Sequence, residues 1–408
     1  MKRVLFTAGM YYPYSDAIGS CIIKLQEALL NEGISSDVVT YSDRTGLLCS
    51  GKYGDIYGVK SSQRELSVSF KNKLDRVLKV APYFFTWPLS RPFQLRKMKA
   101  LVSQLNKEHD YDAIIGTSLP IDTLLVVTSF NNSIVYELDG LTCNPNYRRG
   151  IKKHLHHRVD YLENKVFKKS GLIIHMIQNE EWFNSNKYIR YKNKSVYADI
   201  PNLIVPNLSY DNQKRSIPLL IYAGSLISDY RSPEYLLSLL ESMSKEINYN
   251  AHFYSSGDCQ YLVENAQIET KGMIEVKERI SSDELDKVMK QADFLLSIGN
   301  SMSGNDRSFP SKVITYMALQ KPIIHIAGNE NDSAIPYIEK YGLSVIINPK
   351  DDFNDNVEKL IHFITNNIGK ESSFEETRQK FPMNTPEYTV HIIQDFVEKQ
   401  KGKTAEVK

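Results

Sequence analysis

The sequence predicts an α/β protein of two doubly wound, Rossmann-like domains facing a central cleft, and three observations carry that expectation. Short β-branched runs alternate with segments of helical period along almost the whole chain. The alternation breaks off and restarts after residue 210. The length, 408 residues, exceeds the roughly 250 to 300 at which a single hydrophobic core stops growing. Strands alternating with helices require parallel sheets covered on both faces, and two cycles of alternation require two such sheets.

The elements follow in order. "RVLF" reads as a strand leading into the amphipathic helix "IGSCIIKLQEALLNEG". The strands "SDVVTY", "YDAIIGTS" and "SIVYELDG" come next, then a helix near Arg149 to Lys169 and the strand "GLIIHMI". After the restart, "PLLIYAGS" precedes the helix "SPEYLLSLLESMSKE", then "NAHFYSSG", "GMIEV", the helix "SSDELDKVMKQA" and the strand "DFLLSIGN". A helix opening near "RSFPSKVITYMALQ" leads to "KPIIHIAG", "AIPYIEKYG" and "LSVIIN". The join falls in "IPNLIVPNLSYDNQKRSIP", where Pro201, Pro206 and Pro218 punctuate a polar stretch. The expected domains are 1–205 and 206–384, with a tail helix over 385–408. That tail places Tyr388, Ile392, Ile393, Phe396 and Val397 on one face, which must dock on something apolar.

Apolar content of 42% and charged content of 24% are those of a globular protein. Charge is unevenly spread, with 28 lysines and arginines against 19 acids in residues 1–200, so the first half expects an anionic neighbour. Cys21, Cys49, Cys143 and Cys259 lack metal-ligand spacing, and a chain this long has no need of disulfides; a reducing, cytoplasmic compartment is expected. The beginning, "MKRVLFTAGMYYPYSD", is interrupted by Gly9 and Pro13, unlike the apolar stretch of a secretory signal. No window approaches the roughly 18 apolar residues of a membrane span.

In open parallel sheets ligands bind beyond the carboxyl ends of the strands, and four stretches qualify. In "IYAGSLISDYRSPEYLL", Gly224 and Ser225 follow a strand and Arg231 precedes a helix, which suits phosphate oxygens met by backbone N–H groups and a forked guanidinium. Gly after a strand is also an ordinary turn. The second stretch, "RSFPSKVITYMALQKPII", opens a helix with basic and polar residues and no acid, although a helix start exposes unpaired N–H groups and partial positive charge. Arg307 and Lys312 flank Ser308, a candidate N-cap, with Pro310, Ser311 and Thr315 behind; an anion belongs among them unless Lys312 is simply solvated. Asn305 and Asp306 lie in the Gly/Ser/Asn loop before it, suited to close backbone approach or to plain connection.

The third stretch is "IEVKERISSDELDKVM", where Ser282 reads as an N-cap and Arg279 and Ile280 offer a place for a flat base, or pack and solvate in the usual way. The fourth is "GMYYPYSDAIGSCIIKLQEAL". Tyr14, Asp16, Gly19 and Ser20 are its cleft or acceptor candidates, and Tyr11 and Tyr12 either stack on a sugar or pack. No G-x-G-x-x-G occurs, which argues against a dinucleotide-dependent oxidoreductase.

Taken in order, "YAGS", "SSDELDKVMKQADFLLSIGN" and "FPSKVITYMALQKPII" resemble the donor-binding half of GT-B glycosyltransferases similar to family four, of the bacterial polysaccharide biosynthesis type. The match is best over residues 218–350, and the first half fits in order and pattern. The resemblance implies a nucleotide diphosphate sugar, UDP-linked by preference, held by the second domain, and a saccharide or polyprenyl-linked acceptor held by the first. It implies a retaining hexosyl transfer with no cofactor and no essential metal, in capsule or exopolysaccharide assembly. Charge on the leaving diphosphate would then be met by Arg231, Lys312, the Gly224 amide and the helix start.

The chain departs from the family where two glutamates usually flank a Phe-Gly pair. Here those positions read Arg307 and Thr315 around Phe309-Pro310, with Asp306 one residue from the first. Thr315 offers one hydroxyl to ribose where a carboxylate would accept two. In place of the family's histidine after a first-domain strand stands "YELDG", with Glu137 and Asp139, the latter the catalytic candidate. The stretch from Lys71 to Ala100 mixes Tyr83, Phe84, Phe85 and Trp87 with Lys79, Arg91, Arg96, Lys97 and Lys99, the composition of a segment lying on an anionic inner-membrane surface, or of a loop with Pro82, Pro88 and Pro92. A second basic run is "NYRRGIKKHLHHRVDYLENKVFKK", whose histidines His154, His156 and His157 read as surface and not as a zinc site. Two other readings stay open: a nucleotide-sugar epimerase on the same fold, and a non-catalytic partner that binds nucleotide sugar or glycan. Nucleic acid is not an expected partner, for want of a recognition motif.

Overall fold

The computed structural model describes residues 1–13, 17–61, 85–89, 92–118, 120–138, 154–185, 187–205, 215–301 and 311–406. The chain divides into two compact units, Met1–Pro201 with Met383–Lys408, and Asn202–Pro382.

The first unit holds an eight-stranded sheet. Its strands are β1 (Arg3–Ala8), β2 (Ser35–Ser42), β3 (Gly46–Ser50), β4 (Asp55–Lys60), β5 (Ala113–Thr117), β6 (Ser133–Glu137), β7 (Leu172–Met176) and β8 (Ser195–Ala198). They lie in the order β3-β4-β2-β1-β5-β6-β7-β8, all parallel except the hairpin partner β3. Alternation along β1 feeds two layers: Val4, Phe6 and Ala8 join one apolar cluster and Leu5 the other.

The tail helix, Pro386–Glu406, belongs to this unit and packs on the Ala17–Asn31 helix. Val390, Ile393, Phe396 and Val397 are buried in the same cluster as Ile18, Ile22 and Leu25, each contributing about 1.5–3 kcal/mol of apolar burial. Gly171 makes room for it, since a Cβ there would stand 2.8 Å from the Phe396 ring. Lys401 adds an ion pair to Asp112 at 2.6 Å.

The second unit holds six parallel strands: β9 (Leu219–Ser225), β10 (Asn250–Ser256), β11 (Ile274–Val276), β12 (Phe294–Ile298), β13 (Ile323–Ile326) and β14 (Ser344–Ile347). Their order, β11-β10-β9-β12-β13-β14, is that of a doubly wound sheet whose connections reverse direction between β9 and β12. Again one strand serves two layers: Leu220 and Tyr222 face one cluster, Leu219, Ile221 and Ala223 the other. On the second face lies the helix Lys312–Ala318, through Val313, Ile314, Tyr316 and Met317.

Local signals shift by small amounts. The helix Ser282–Lys290 is capped by Ser281 and not by Ser282, because Ser281 takes the extended conformation and closes a capping box with Glu284. Where a helix was expected from Arg149, the described helix runs His156–Lys169. Tyr11 is a core residue, 8% exposed and bonded to Gln26, so stacking on a sugar is not its role.

Candidate active site

A doubly wound sheet leaves a crevice beyond the carboxyl ends of the strands where the winding reverses. In the second unit a cavity of about 150 Å³ opens there, between the ends of β9 and β12. Ala223, Ser297, Arg231, Lys312 and Tyr316 line it, with Ser311 at its edge in the chain before the helix. It therefore joins two stretches that sequence reading picked out separately.

Each cation is positioned by its local fold. Gly224 is the last but one residue of β9, and a short return follows in which the Arg231 N–H donates to Ile227 O at 2.7 Å. The guanidinium then lies 5.6 Å from the Tyr230 ring centre, and its Nε is buried with no hydrogen-bond partner. Leaving a buried donor unmet costs about 1–3 kcal/mol. Lys312, first residue of its helix, is exposed taken as a residue, yet its Nζ turns inward and donates to Ala223 O at 2.5 Å. Lost hydration of the ammonium is the largest influence on its titration and pushes the pKa down to about 8; the Arg231 charge presses the same way, and Asp286 opposes. Among the described residues neither cation has a carboxylate within ion-pairing distance.

Gly224 is where a backbone must come close. An added Cβ would lie 3.2 Å from Tyr222 Oη and 3.4 Å from Lys312 Nζ. The floor is fixed by two tyrosines: Tyr222 donates to Ser225 O at 3.2 Å, and buried Tyr316 bonds the Ala223 backbone. Burial raises both phenol pKa values, so both stay protonated.

One wall is a buried polar chain that sequence reading missed. Ser297 pairs in register with His325, so both side chains face the layer of the Lys312–Ala318 helix. Ser297 Oγ stands 3.0 Å from His325 Nδ1, and His325 Nε2 stands 3.1 Å from Asp332 Oδ2. Asp332 also accepts from Gly328 N at 2.9 Å and Ala334 N at 3.0 Å. Burial raises the Asp332 pKa, but the His325 hydrogen bond and the two backbone donors outweigh it, holding the carboxyl below its usual range. Gly299 leaves the room: a Cβ there would be 1.7 Å from Asp332 Oδ2. Gly299 and Gly328 are the signal that was available, two glycines after consecutive strands marking close backbone approach.

The other candidates are dispersed. Ser225 is exposed at the end of β9, and Thr315 is half-buried in its helix, outside the cavity lining. Arg279 is exposed and Ile280 half-buried in the link between β11 and the Ser282–Lys290 helix, also outside that lining. The Lys312–Ala318 helix is seven residues long, with no acidic residue in its first turn. Asn305, Asp306, Arg307, Ser308 and Pro310 lie outside the described residues, as do Asp139, Tyr14 and Asp16.

In the first unit Gly19 is buried and Ser20 half-buried in the first turn of the Ala17–Asn31 helix. Glu137, ending β6, is fully buried with Oε2 at 3.2 Å from His175 Nδ1, while Phe183 stacks on that imidazole. Burial pushes the His175 pKa down to about 3, so the contact is a hydrogen bond of a neutral ring. His156 pairs with Asp160 at 3.5 Å on the surface. Among the described residues no group of three or more metal-ligating side chains converges, and no helix is long and apolar enough to cross a membrane.

A scan against protein-family models and a search of curated proteins each return no match. Solved structures do match. Anabaena Alr3699/HepE, in complex with UDP, aligns with a TM-score of 0.61 at 13% identity, over 97% of this chain and 100% of that one. A TarM variant of S. aureus, in complex with Fondaparinux, alpha-GlcNAc-glycerol and UDP, gives 0.57 at 11% identity, over 97% and 100%. The catalytic domain of starch synthase IV from Arabidopsis thaliana, bound to ADP and acarbose, gives 0.55 at 9% identity, over 97% and 99%. Identities this low speak to architecture. HepE and TarM are GT-B glycosyltransferases, and the two parallel-sheet units of this chain have the GT-B fold.

Proposed function

We propose that the chain is a glycosyltransferase whose second unit binds a nucleotide diphosphate sugar. The observation that carries this reading is the pair of cations at the switch point: Arg231 with an unmet buried Nε, and Lys312 with a poorly hydrated Nζ, neither paired with a carboxylate among the described residues. Two such charges beside a glycine at a strand end fit a diphosphate. The HepE and TarM complexes with UDP make a uridine nucleotide the first choice, and the starch synthase complex keeps ADP open.

In the reaction, charge builds on the diphosphate as the anomeric C–O bond breaks. Lys312 holds one donor on Ala223 O and keeps two for phosphate oxygens; Arg231 supplies a forked donor set. The transferred group in this reading is a hexose passed with retention, without metal, to a saccharide or lipid-linked acceptor on the first unit, in cell-surface polysaccharide assembly. A peripheral place on an anionic membrane surface is supported by Phe85 and Phe93, 74% and 78% exposed, near exposed Arg96, Lys97 and Lys99. Vesicles with and without anionic lipid test it: co-sedimentation with the anionic set alone is expected, and equal recovery from both sets sinks it.

The non-catalytic reading keeps one specific support, Arg307 and Thr315 where the family has glutamates. Calorimetric titration with UDP, ADP and GDP, free of metal, tests the site. Binding of one nucleotide that Lys312→Ala abolishes supports it, and no binding of any sinks it. Transfer of radiolabelled sugar to a lysate of lipid and saccharide acceptors then separates enzyme from binder.

A further inference from the structure

The cavity lining combines two chemistries. Arg231 and Lys312 offer only donors to a ligand. Ser297, which lines the same cavity, is constrained by what lies behind it. Asp332 is an anion that accepts from two backbone N–H groups and has no proton to give, so its contact with His325 Nε2 needs a donor there, and in the neutral imidazole the proton sits on Nε2. Nδ1 is then the acceptor, and the single hydroxyl proton of Ser297 goes to it. Toward the cavity Ser297 has lone pairs and nothing to donate. His325 is 0% exposed and Asp332 7%, so solvent does not relax this arrangement.

A phosphate oxygen has no use for such a group, whereas a sugar hydroxyl does. We propose that Ser297 accepts a hydrogen bond from a substrate hydroxyl, and that His325 and Asp332 are positioning residues that keep it an acceptor. The cavity thus offers a ligand two kinds of contact, donors to phosphate from Arg231 and Lys312 and an acceptor for a hydroxyl at Ser297. This rests on the donor-site reading and adds to it a second group that the cavity recognises. The hydroxyl comes from the ribose or from the transferred sugar.

The test is calorimetry on wild type, Ser297→Ala and Lys312→Ala with pyrophosphate, with UDP, ADP and GDP, and with their glucose conjugates. Ser297→Ala is expected to bind pyrophosphate as wild type does, and the preferred glucose conjugate about 2- to 10-fold more weakly, the size of one neutral hydrogen bond. An equal loss for the bare nucleotide assigns the hydroxyl to ribose; a loss confined to the conjugate assigns it to the sugar. Unchanged affinity for every ligand overturns the proposal, while a Lys312→Ala loss on pyrophosphate leaves the donor site standing. Failure of wild type to bind any of them removes the donor site and this proposal together. Long-range ¹⁵N spectra, with the His325 signal identified by its loss in His325→Gln, give a readout independent of ligand. The Nε2–H tautomer is expected; an Nδ1–H tautomer would turn Ser297 into a donor toward the cavity and end the argument.

Discussion

The weak hydration of Lys312 makes nucleotide affinity depend on pH in a direction and amount that follow from its surroundings. Its free-state pKa of about 8 lies below the usual lysine value because the ammonium is desolvated and Arg231 is near. An entering diphosphate brings negative charge, which stabilises the protonated form and raises the pKa in the complex. Binding therefore draws a proton wherever the free lysine is neutral. Affinity is full well below pH 8 and falls as the pH rises through it, the reverse of a carboxylate's behaviour. With a free pKa of about 8, the protonated fraction drops from about nine-tenths at pH 7 to about one-tenth at pH 9, so Kd should rise about tenfold over that span. The terminal phosphate of a nucleoside diphosphate, with a pKa near 6, is already ionised throughout, so it adds no slope.

Isothermal calorimetry between pH 7 and 9, in buffers of different ionisation heat, measures Kd and proton uptake together. About half a proton per nucleotide is expected at pH 8. Lys312→Arg keeps the charge at every pH in the range and should flatten the curve; Lys312→Met should flatten it at an affinity about 10- to 100-fold lower, the worth of a hydrogen bond to a charged group. A wild-type Kd that is level across the range, or a slope that survives in Lys312→Arg, would refute the assignment of Lys312 to the phosphate.

Other substitutions probe other links. Arg231→Gln should weaken nucleotide binding about tenfold or more while leaving the melting temperature unchanged or higher, because it removes a buried donor that the free protein leaves unmet; a drop in melting temperature matching the binding loss would mark Arg231 as structural. Gly299→Ala sets a Cβ against the Asp332 carboxylate and the Gly328 amide, so denaturant titration should show a loss of about 2–3 kcal/mol. Phe396→Ala removes a ring 8% exposed from the seam between the tail helix and the Ala17–Asn31 helix, and should cost about 3–4 kcal/mol, read as faster proteolysis of the tail.

The fold was legible because its two signals are local: the alternation of strand and helix, and the interruption near residue 210. Half of the candidate site was legible for the same reason. Gly224 after a strand, Arg231 before a helix and Lys312 at a helix start carry their meaning within a few residues, and the switch between β9 and β12 brings them together. Ser297, His325 and Asp332 carry none within their own stretches. Ser297 reads as one more residue of an apolar strand, and His325 as a polar interruption of another; the β12–β13 register makes them partners, and the return of the chain after Gly328 supplies the carboxylate. A charge travels with its residue and can be read from a sequence. The direction of a hydrogen bond belongs to the chain of partners behind it, and for Ser297 that chain ends 35 positions downstream at Asp332. The basic groups of the cavity are therefore a property of composition and spacing, whereas the acceptor exists only once strand pairing has fixed a tautomer.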